Sequence, residues 1–217
     1  RFYYWQGAWE IIKENWIIGR WMLASSLMLW FSGNLWIINA GIILGPITLG
    51  VVRACQALIG VANPIFLSFE NVVPGESSKK FKLGGINEME IYLKKFSLKF
   101  LIPILILTLF FIIFSKFLLT FVYGLETAKY YYFLIFLSFT LPFTLLRFPL
   151  EYALRTVEKT KPIFISNLMT TLIALTSSGI IITQFQLNGL IFGILFSQII
   201  SIFIVYLGYL KHRKRIE

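Results

Sequence analysis

The sequence predicts an all-α, polytopic integral membrane protein: a six-transmembrane-helix bundle preceded by an interfacial amphipathic helix. Three observations carry that prediction. Of 217 residues, 58% are hydrophobic and only 14% are charged, whereas a soluble domain runs at roughly 45–50% apolar and about 25% charged. Apolar runs of about 20 residues recur along the chain, the length that a bilayer crossing needs. The 20 Lys and Arg, against 10 acidic residues, gather in alternate connections, which is how loop charge sets orientation in a membrane. A water-soluble globule is excluded.

Taken in order, residues 1–16 place Phe2, Tyr3, Trp5, Trp9, Ile12 and Trp16 at helical spacing, with Glu10, Lys13 and Glu14 on the other side. This predicts an amphipathic helix at headgroup depth, where Trp and Tyr rings settle. The run 17–38, with Arg20 as its one charge, predicts the first span, and Gly41, Gly45 and Pro46 then punctuate a short loop. The second span, 48–69, completes a helix pair over 17–69 and is interrupted by Arg53 and by Asn63-Pro64.

Residues 70–97 differ sharply in composition, with Pro74-Gly75, Lys79-Lys80, Lys82, Gly84-Gly85 and Lys94-Lys95. They predict a basic, amphipathic cytoplasmic loop too short to be a domain. Runs at 100–122, 130–150, 162–183 and 190–210 predict a four-helix group over 98–210. Its links, 123–129, 151–161 and 184–189, are short enough to force antiparallel neighbours. Residues 211–217 form a basic tail beside the last span, suited to anionic lipid and not to nucleic acid.

With six spans, one side collects Arg1, Lys13, Arg20, the lysines of 79–99, Arg155, Lys159, Lys161 and the tail, while the other has only Lys116 and Lys129. Both termini and the long loop are therefore expected in the cytoplasm. The chain opens Arg1-Phe2-Tyr3-Tyr4 without an initiator Met, which predicts a piece of a longer polypeptide.

Ionisable residues inside a span are the first functional candidates, since each costs roughly 2.5–3.5 kcal/mol to insert and must face protein or water. Two roles are open to Arg53: a bidentate contact with an anionic group in an aqueous cavity, or snorkelling to the outer headgroups. Arg147 and Glu151 stand four apart near the cytoplasmic end of the fourth span, as an i,i+4 ion pair would, and either gating or structural pairing follows from that. At Asn63-Pro64 the proline frees a backbone carbonyl within a span, and broken helices border transport cavities; a kink serving packing alone is the other reading. Other polar residues, among them Ser25, Asn34, Asn167, Ser178 and Gln198, are read as interhelical glue.

No catalytic residue is assigned. With no Asp, one Cys (Cys55) and one His (His212), neither a Cys/His metal site, a Ser-His-Asp arrangement nor an internal disulfide can be drawn. No phosphate loop occurs, so neither a metal nor a cofactor is expected.

The order of the motifs Leu44-Gly45-Pro46-Ile47-Thr48-Leu49-Gly50-Val51-Val52-Arg53-Ala54, Asn71-Val72-Val73-Pro74, Phe121-Val122-Tyr123-Gly124, Leu154-Arg155-Thr156-Val157-Glu158-Lys159-Thr160-Lys161-Pro162 and Leu187-Asn188-Gly189-Leu190-Ile191-Phe192-Gly193 resembles the C-terminal half of a polysaccharide-biosynthesis flippase. The similarity is to the O-antigen, or repeat-unit, type within the multidrug/oligosaccharidyl-lipid/polysaccharide superfamily. Such flippases have twelve to fourteen spans, so the resemblance implies one lobe of a two-lobe transporter that lacks its N-terminal transmembrane half. It implies an undecaprenyl-pyrophosphate-linked oligosaccharide as substrate, a bacterial or archaeal cytoplasmic membrane, and a polysaccharide polymerase and glycosyltransferases as partners. On this reading Arg53, Asn63 and Arg147 are the candidate substrate-binding residues. The alternatives are a multidrug or cation exporter of the same fold, an integral-membrane transferase acting on lipid-linked sugars, and a purely structural membrane subunit.

Overall fold

The structure, a computed structural model, describes residues 3–213 and is helical almost throughout. Its elements are α1 (Tyr3–Leu44), α2 (Pro46–Ile59), a 3-10 turn (Gly60–Ala62), α3 (Asn63–Tyr123), α4 (Leu125–Ala128), α5 (Tyr131–Ser138), α6 (Thr140–Thr156) and α7 (Lys161–Arg213). Four stretches among the described residues are long and apolar enough to cross a membrane: Gly19–Leu44, Pro46–Tyr123, Tyr131–Thr156 and Lys161–Arg213. This is the make-up of a membrane protein.

Two of those stretches double back. A straight helix would hold Phe69 and Phe96 about 40 Å apart, yet their ring centroids lie 5.0 Å apart. The bend is at Gly84 and Gly85, and Gly85 takes φ 68, a conformation that glycine alone adopts freely. In α7, Ser166 and Ser201 would be about 52 Å apart along a straight axis, but their hydroxyl oxygens are 2.8 Å apart. Here the turn is at Gln186, a non-glycine at φ 51. Each of α3 and α7 is therefore a hairpin of two antiparallel arms, 63–83 with 86–123 and 161–185 with 187–213.

Contact register gives the directions. Trp21 meets Phe164, Asn167 bonds Ser25 and Thr171 bonds the Met28 carbonyl, so α1 and the first arm of α7 run parallel. Phe69 meets Phe148 and Ser77 meets Thr156, so the first arm of α3 runs parallel to α6. The start of α1, the end of α7, the Gly84–Gly85 turn and the 157–160 turn consequently share one end of the bundle. Gly45, Gly124 and Gln186 share the other. Lys79, Lys82, Lys94, Lys95, Lys159 and Lys161 belong to the first end, Lys116 and Lys129 to the second.

Three features bear on the sequence expectation. Residues 70–97 are not a loop: helix continues on both sides of Gly84–Gly85, because Ser77, Ile86, Met89 and Leu93 present a buried face. Residues 3–16 belong to α1 and run into the first apolar stretch without a break; Arg1 and Phe2, with residues 214–217 of the tail, lie outside the described residues. Asn63-Pro64 does not open its helix. Pro64 offers no N–H to the Gly60 carbonyl four residues back, and the Asn63 N–H bonds that carbonyl instead, tightening one turn to 3-10.

The core is aromatic where α3 meets α6. Phe69 lies 4.4 Å from Phe100 and 5.1 Å from Phe148, and Phe148 lies 4.3 Å from Tyr152, all between ring centroids. Rows such as Ile102, Ile106, Leu109, Ile113, Phe117 and Phe121 stay exposed on the second arm of α3, as lipid-facing positions do. The packing is close: between α1 and α7 a Cβ on Gly193 would collide with the six-membered ring of Trp36, and between the two arms of α7 one on Gly189 would lie 2.5 Å from the Ile181 carbonyl oxygen. Gly193→Ala is expected to lower stability by about 1–3 kcal/mol through overpacking. Gly50→Ala, where nothing lies within 4 Å of the added methyl, is expected to be neutral or slightly stabilising; thermal melting of the detergent-solubilised protein compares the two.

Candidate functional site

A cavity of about 280 Å³ lies between α1, the first arm of α3, α6 and both arms of α7. Helical register builds it. On α6, Thr144, Arg147, Glu151 and Arg155 recur at three- and four-residue steps and so form one stripe. Facing them are Ser25 and Ser26 of α1, Phe66 and Glu70 of α3, and Asn167 and Gln198 of α7. The site occupies the half of the bundle nearer the basic end, since residues 22–29 are the first part of the apolar stretch of α1.

Arg147 organises it. One guanidinium nitrogen, Nη2, donates to Glu151 Oε1 at 2.8 Å and to Asn167 Oδ1 at 2.8 Å. Asn167 Nδ2 then donates to Ser25 Oγ at 2.8 Å and to the Ser25 carbonyl at 3.1 Å. Both ion-pair side chains are largely covered, at 12% and 17% exposure. The intervening Pro149 leaves the i,i+4 geometry intact. Arg155 lies over the Tyr152 ring, 5.2 Å from its centroid. The cavity thus holds two cations and two carboxylates, Glu70 and Glu151, among hydroxyl and amide groups.

The other sequence candidates lie elsewhere. Arg53 is exposed and donates to Gln56 Oε1 at 3.3 Å and to Asn34 Oδ1 at 3.5 Å. Asn34 is nine residues beyond Ser25 on α1, about 13 Å of helix rise, so Arg53 and Arg147 stand at two heights of the bundle. Asn63 is exposed; it shares a face of α3 with Phe66 and Glu70, about 10 Å above Glu70, and does not line the cavity. Asn167 and Ser25, read from sequence as glue, are members of the network. Arg155, assigned there to a loop, lines the cavity, and the Thr144-Arg147-Glu151-Arg155 stripe is the signal that could have placed it.

Among the described residues no group of three or more His, Cys, Asp or Glu is gathered as a metal site requires. The arrangement suits polar recognition: charge-assisted donors and acceptors, held by a paired network, around a space of small-molecule size. No protein-family model, curated protein or solved structure gives a significant match to the chain.

Breaking the pair from one side leaves a buried charge alone, which costs about 3–5 kcal/mol. Glu151→Ala is therefore expected to destabilise more than the double variant Arg147→Ala/Glu151→Ala. Asn167→Ala is expected to cost about 1–3 kcal/mol by stranding its partners. Unfolding of the purified protein in one detergent orders the three.

Proposed function

We propose that this chain is one lobe of a transporter that carries undecaprenyl-pyrophosphate-linked oligosaccharide repeat units across a bacterial or archaeal cytoplasmic membrane for surface-polysaccharide synthesis. The observation that carries the reading is a charged, hydroxyl-rich cavity inside an otherwise apolar helical bundle. Charges at that depth are costly and are kept where a polar path needs them. A pyrophosphate headgroup and its sugars cannot cross hydrocarbon unaided; a lined polar route between helix groups answers that need.

On this reading α1, the α2–α3 rod, the second arm of α3, α5 with α6, and the two arms of α7 are six spans. The basic end faces the cytoplasm, in keeping with the excess of Lys and Arg there. Arg147 meets the anionic headgroup at the cytoplasmic side, and Arg53 of α2, at the height of Asn34, receives it nearer the outer leaflet. Seryl, asparaginyl and threonyl side chains meet sugar hydroxyls. A second lobe supplies the facing wall, and membrane lipids, the polymerase and glycosyltransferases are its partners. The chain performs no catalytic step.

A second reading, a multidrug or cation exporter, draws on one observation: Glu70 and Glu151 line the same cavity, and carboxylates of this kind exchange with H⁺ or Na⁺. Arg147 already neutralises Glu151 at 2.8 Å, which weighs toward the anionic substrate.

In cells, Arg147→Ala at matched membrane levels is expected to accumulate lipid-linked precursor and to lower polymer output about tenfold or more, and Arg147→Lys to restore part of it. Unchanged output in Arg53→Ala at normal expression would remove Arg53 from the route. For orientation, cysteine probes are introduced into a Cys55→Ser background. An impermeant maleimide is expected to label Glu126→Cys in intact cells and Lys82→Cys only after permeabilisation; the reverse pattern overturns the topology.

A further inference from the structure

Two cations from different helices close on one indole at the basic end of the bundle. The Arg20 guanidinium of α1 lies 5.5 Å from the ring centroid of Trp21, and the Lys161 ammonium, at the start of α7, lies 5.7 Å from the same ring. Phe164 of α7 packs on that ring at 5.2 Å between centroids and holds it in the seam. The two charges are therefore at most about 11 Å apart, near the screening length of about 8 Å in physiological salt. Both side chains are exposed. Carboxylates reach Arg147 and Arg213 at 2.8 and 3.0 Å, whereas none pairs with Arg20 or Lys161 among the described residues. A ring face attracts a cation but removes none of its charge, so the pair calls for an anion from outside the chain.

Depth and helical phase say which anion. Trp21 is the third residue of the apolar stretch Gly19–Leu44 and Lys161 the first of Lys161–Arg213, the level at which Trp rings and snorkelling basic side chains meet lipid headgroups. The line on which α1 touches α7 runs through Trp21, Ser25 and Met28, and that of α7 through Phe164, Asn167 and Thr171. At 3.6 residues per turn, Arg20, Leu27 and Phe31 stand about a quarter to a third of a turn to one side of the first line, and Lys161, Ile165 and Leu172 as far to the other side of the second. Because the helices are parallel and face each other, opposite offsets bring both sets to the same side of the seam. Met22, Ser26 and Leu29, which line the cavity, fall on the other side.

Below the cations this face is apolar: Leu27, Phe31, Ile165 and Leu172 are all exposed. From Arg20 to Phe31, and from Lys161 to Leu172, the rise is about 16 Å, close to the roughly 15 Å of hydrocarbon in one leaflet. We infer that this face is a binding site for one anionic glycerophospholipid. Its phosphate diester accepts from the Arg20 guanidinium and the Lys161 ammonium, and its acyl chains lie along the two apolar rows. A soluble phosphate would satisfy the cations and leave the rows uncovered. The site is independent of the carrier reading, since the cavity lies across the seam.

The full chain in neutral detergent is titrated with phosphatidylglycerol or phosphatidylcholine brominated on the acyl chains, and quenching of tryptophan fluorescence is followed. Phosphatidylglycerol is expected to give a saturable component that phosphatidylcholine lacks and that Trp21→Phe abolishes. Arg20→Gln and Lys161→Gln break no ion pair, so each is expected to melt with the wild type in lipid-free micelles. Each is expected to raise the half-saturating mole fraction about fivefold, and the double variant about twenty-five-fold. Lys79→Gln/Lys82→Gln removes the same charge from the same end, beside the Gly84–Gly85 turn, and is expected to leave the half-point unchanged. Equal weakening in the two double variants assigns the effect to diffuse attraction and overturns the site, as do identical titrations with the two lipids. If glycerol phosphate alone raises the melting temperature as far as phosphatidylglycerol does, and the rise is lost in Arg20→Gln/Lys161→Gln, the occupant is a soluble phosphate and the lipid assignment falls.

Discussion

A guanidinium carried into an apolar bundle has to be paired where it lies, and Arg147 imposes that condition on the helices around it. Its partners come from its own helix, in Glu151, and from the first arm of α7, in Asn167. Asn167 in turn fastens to Ser25 of α1, 142 positions away in sequence. Three helices are thus held at one level by a single chain of charge-assisted and neutral hydrogen bonds. The desolvation cost of the ion pair makes its stabilising worth small or negative against apolar isosteres. What it fixes is position: the cavity has its shape because these bonds have few other ways to be made.

The hairpins serve the same end by different means. Gly85 supplies the backbone freedom that a sharp reversal needs, whereas at Gln186 the reversal is made by a residue with a Cβ in the left-handed region. Both reversals bring distant parts of one helix together, Phe69 onto Phe96 and Ser166 onto Ser201. The aromatic cluster of Phe69, Phe100, Phe148 and Tyr152 then forms the wall against which the Arg147 stripe rests. Seen this way, the proposed route is bounded by rings on one side and by the hydroxyl face of α1 and α7 on the other.

What the sequence disclosed was local. Composition gave the apolar helical character, and the i,i+4 spacing of Arg147 and Glu151 pointed to an ion pair, because both depend on residues a few positions apart. Residues 70–97 read as a basic loop with an amphipathic stretch near its end; that helix continues on both sides of Gly84-Gly85 was not legible, because the buried face of Ser77, Ile86, Met89 and Leu93 is diluted by Lys and Glu. Asn63-Pro64 could be read as a break bordering a cavity or as a kink serving packing; a single 3-10 turn absorbs the missing N–H, and no pattern announces that choice. Asn167 and Ser25 were legible as interhelical glue, but not as partners of Arg147, for that depends on which helix faces which. Arg53 was legible as a cation in a span, yet nothing in its neighbourhood in sequence set its height relative to Arg147.

The seat of Trp36 against Gly193 bears on how such a bundle changes shape. A flat, rigid ring lodged where a neighbouring helix has no side chain acts as a pawl in a notch: α1 cannot creep along α7 by small amounts without driving the ring into backbone. Packed contacts of this kind have alternative arrangements separated by barriers and do not deform smoothly. Rearrangement of α1 is therefore expected to proceed by a click from one seating to the next, with the ring as the tooth of that ratchet.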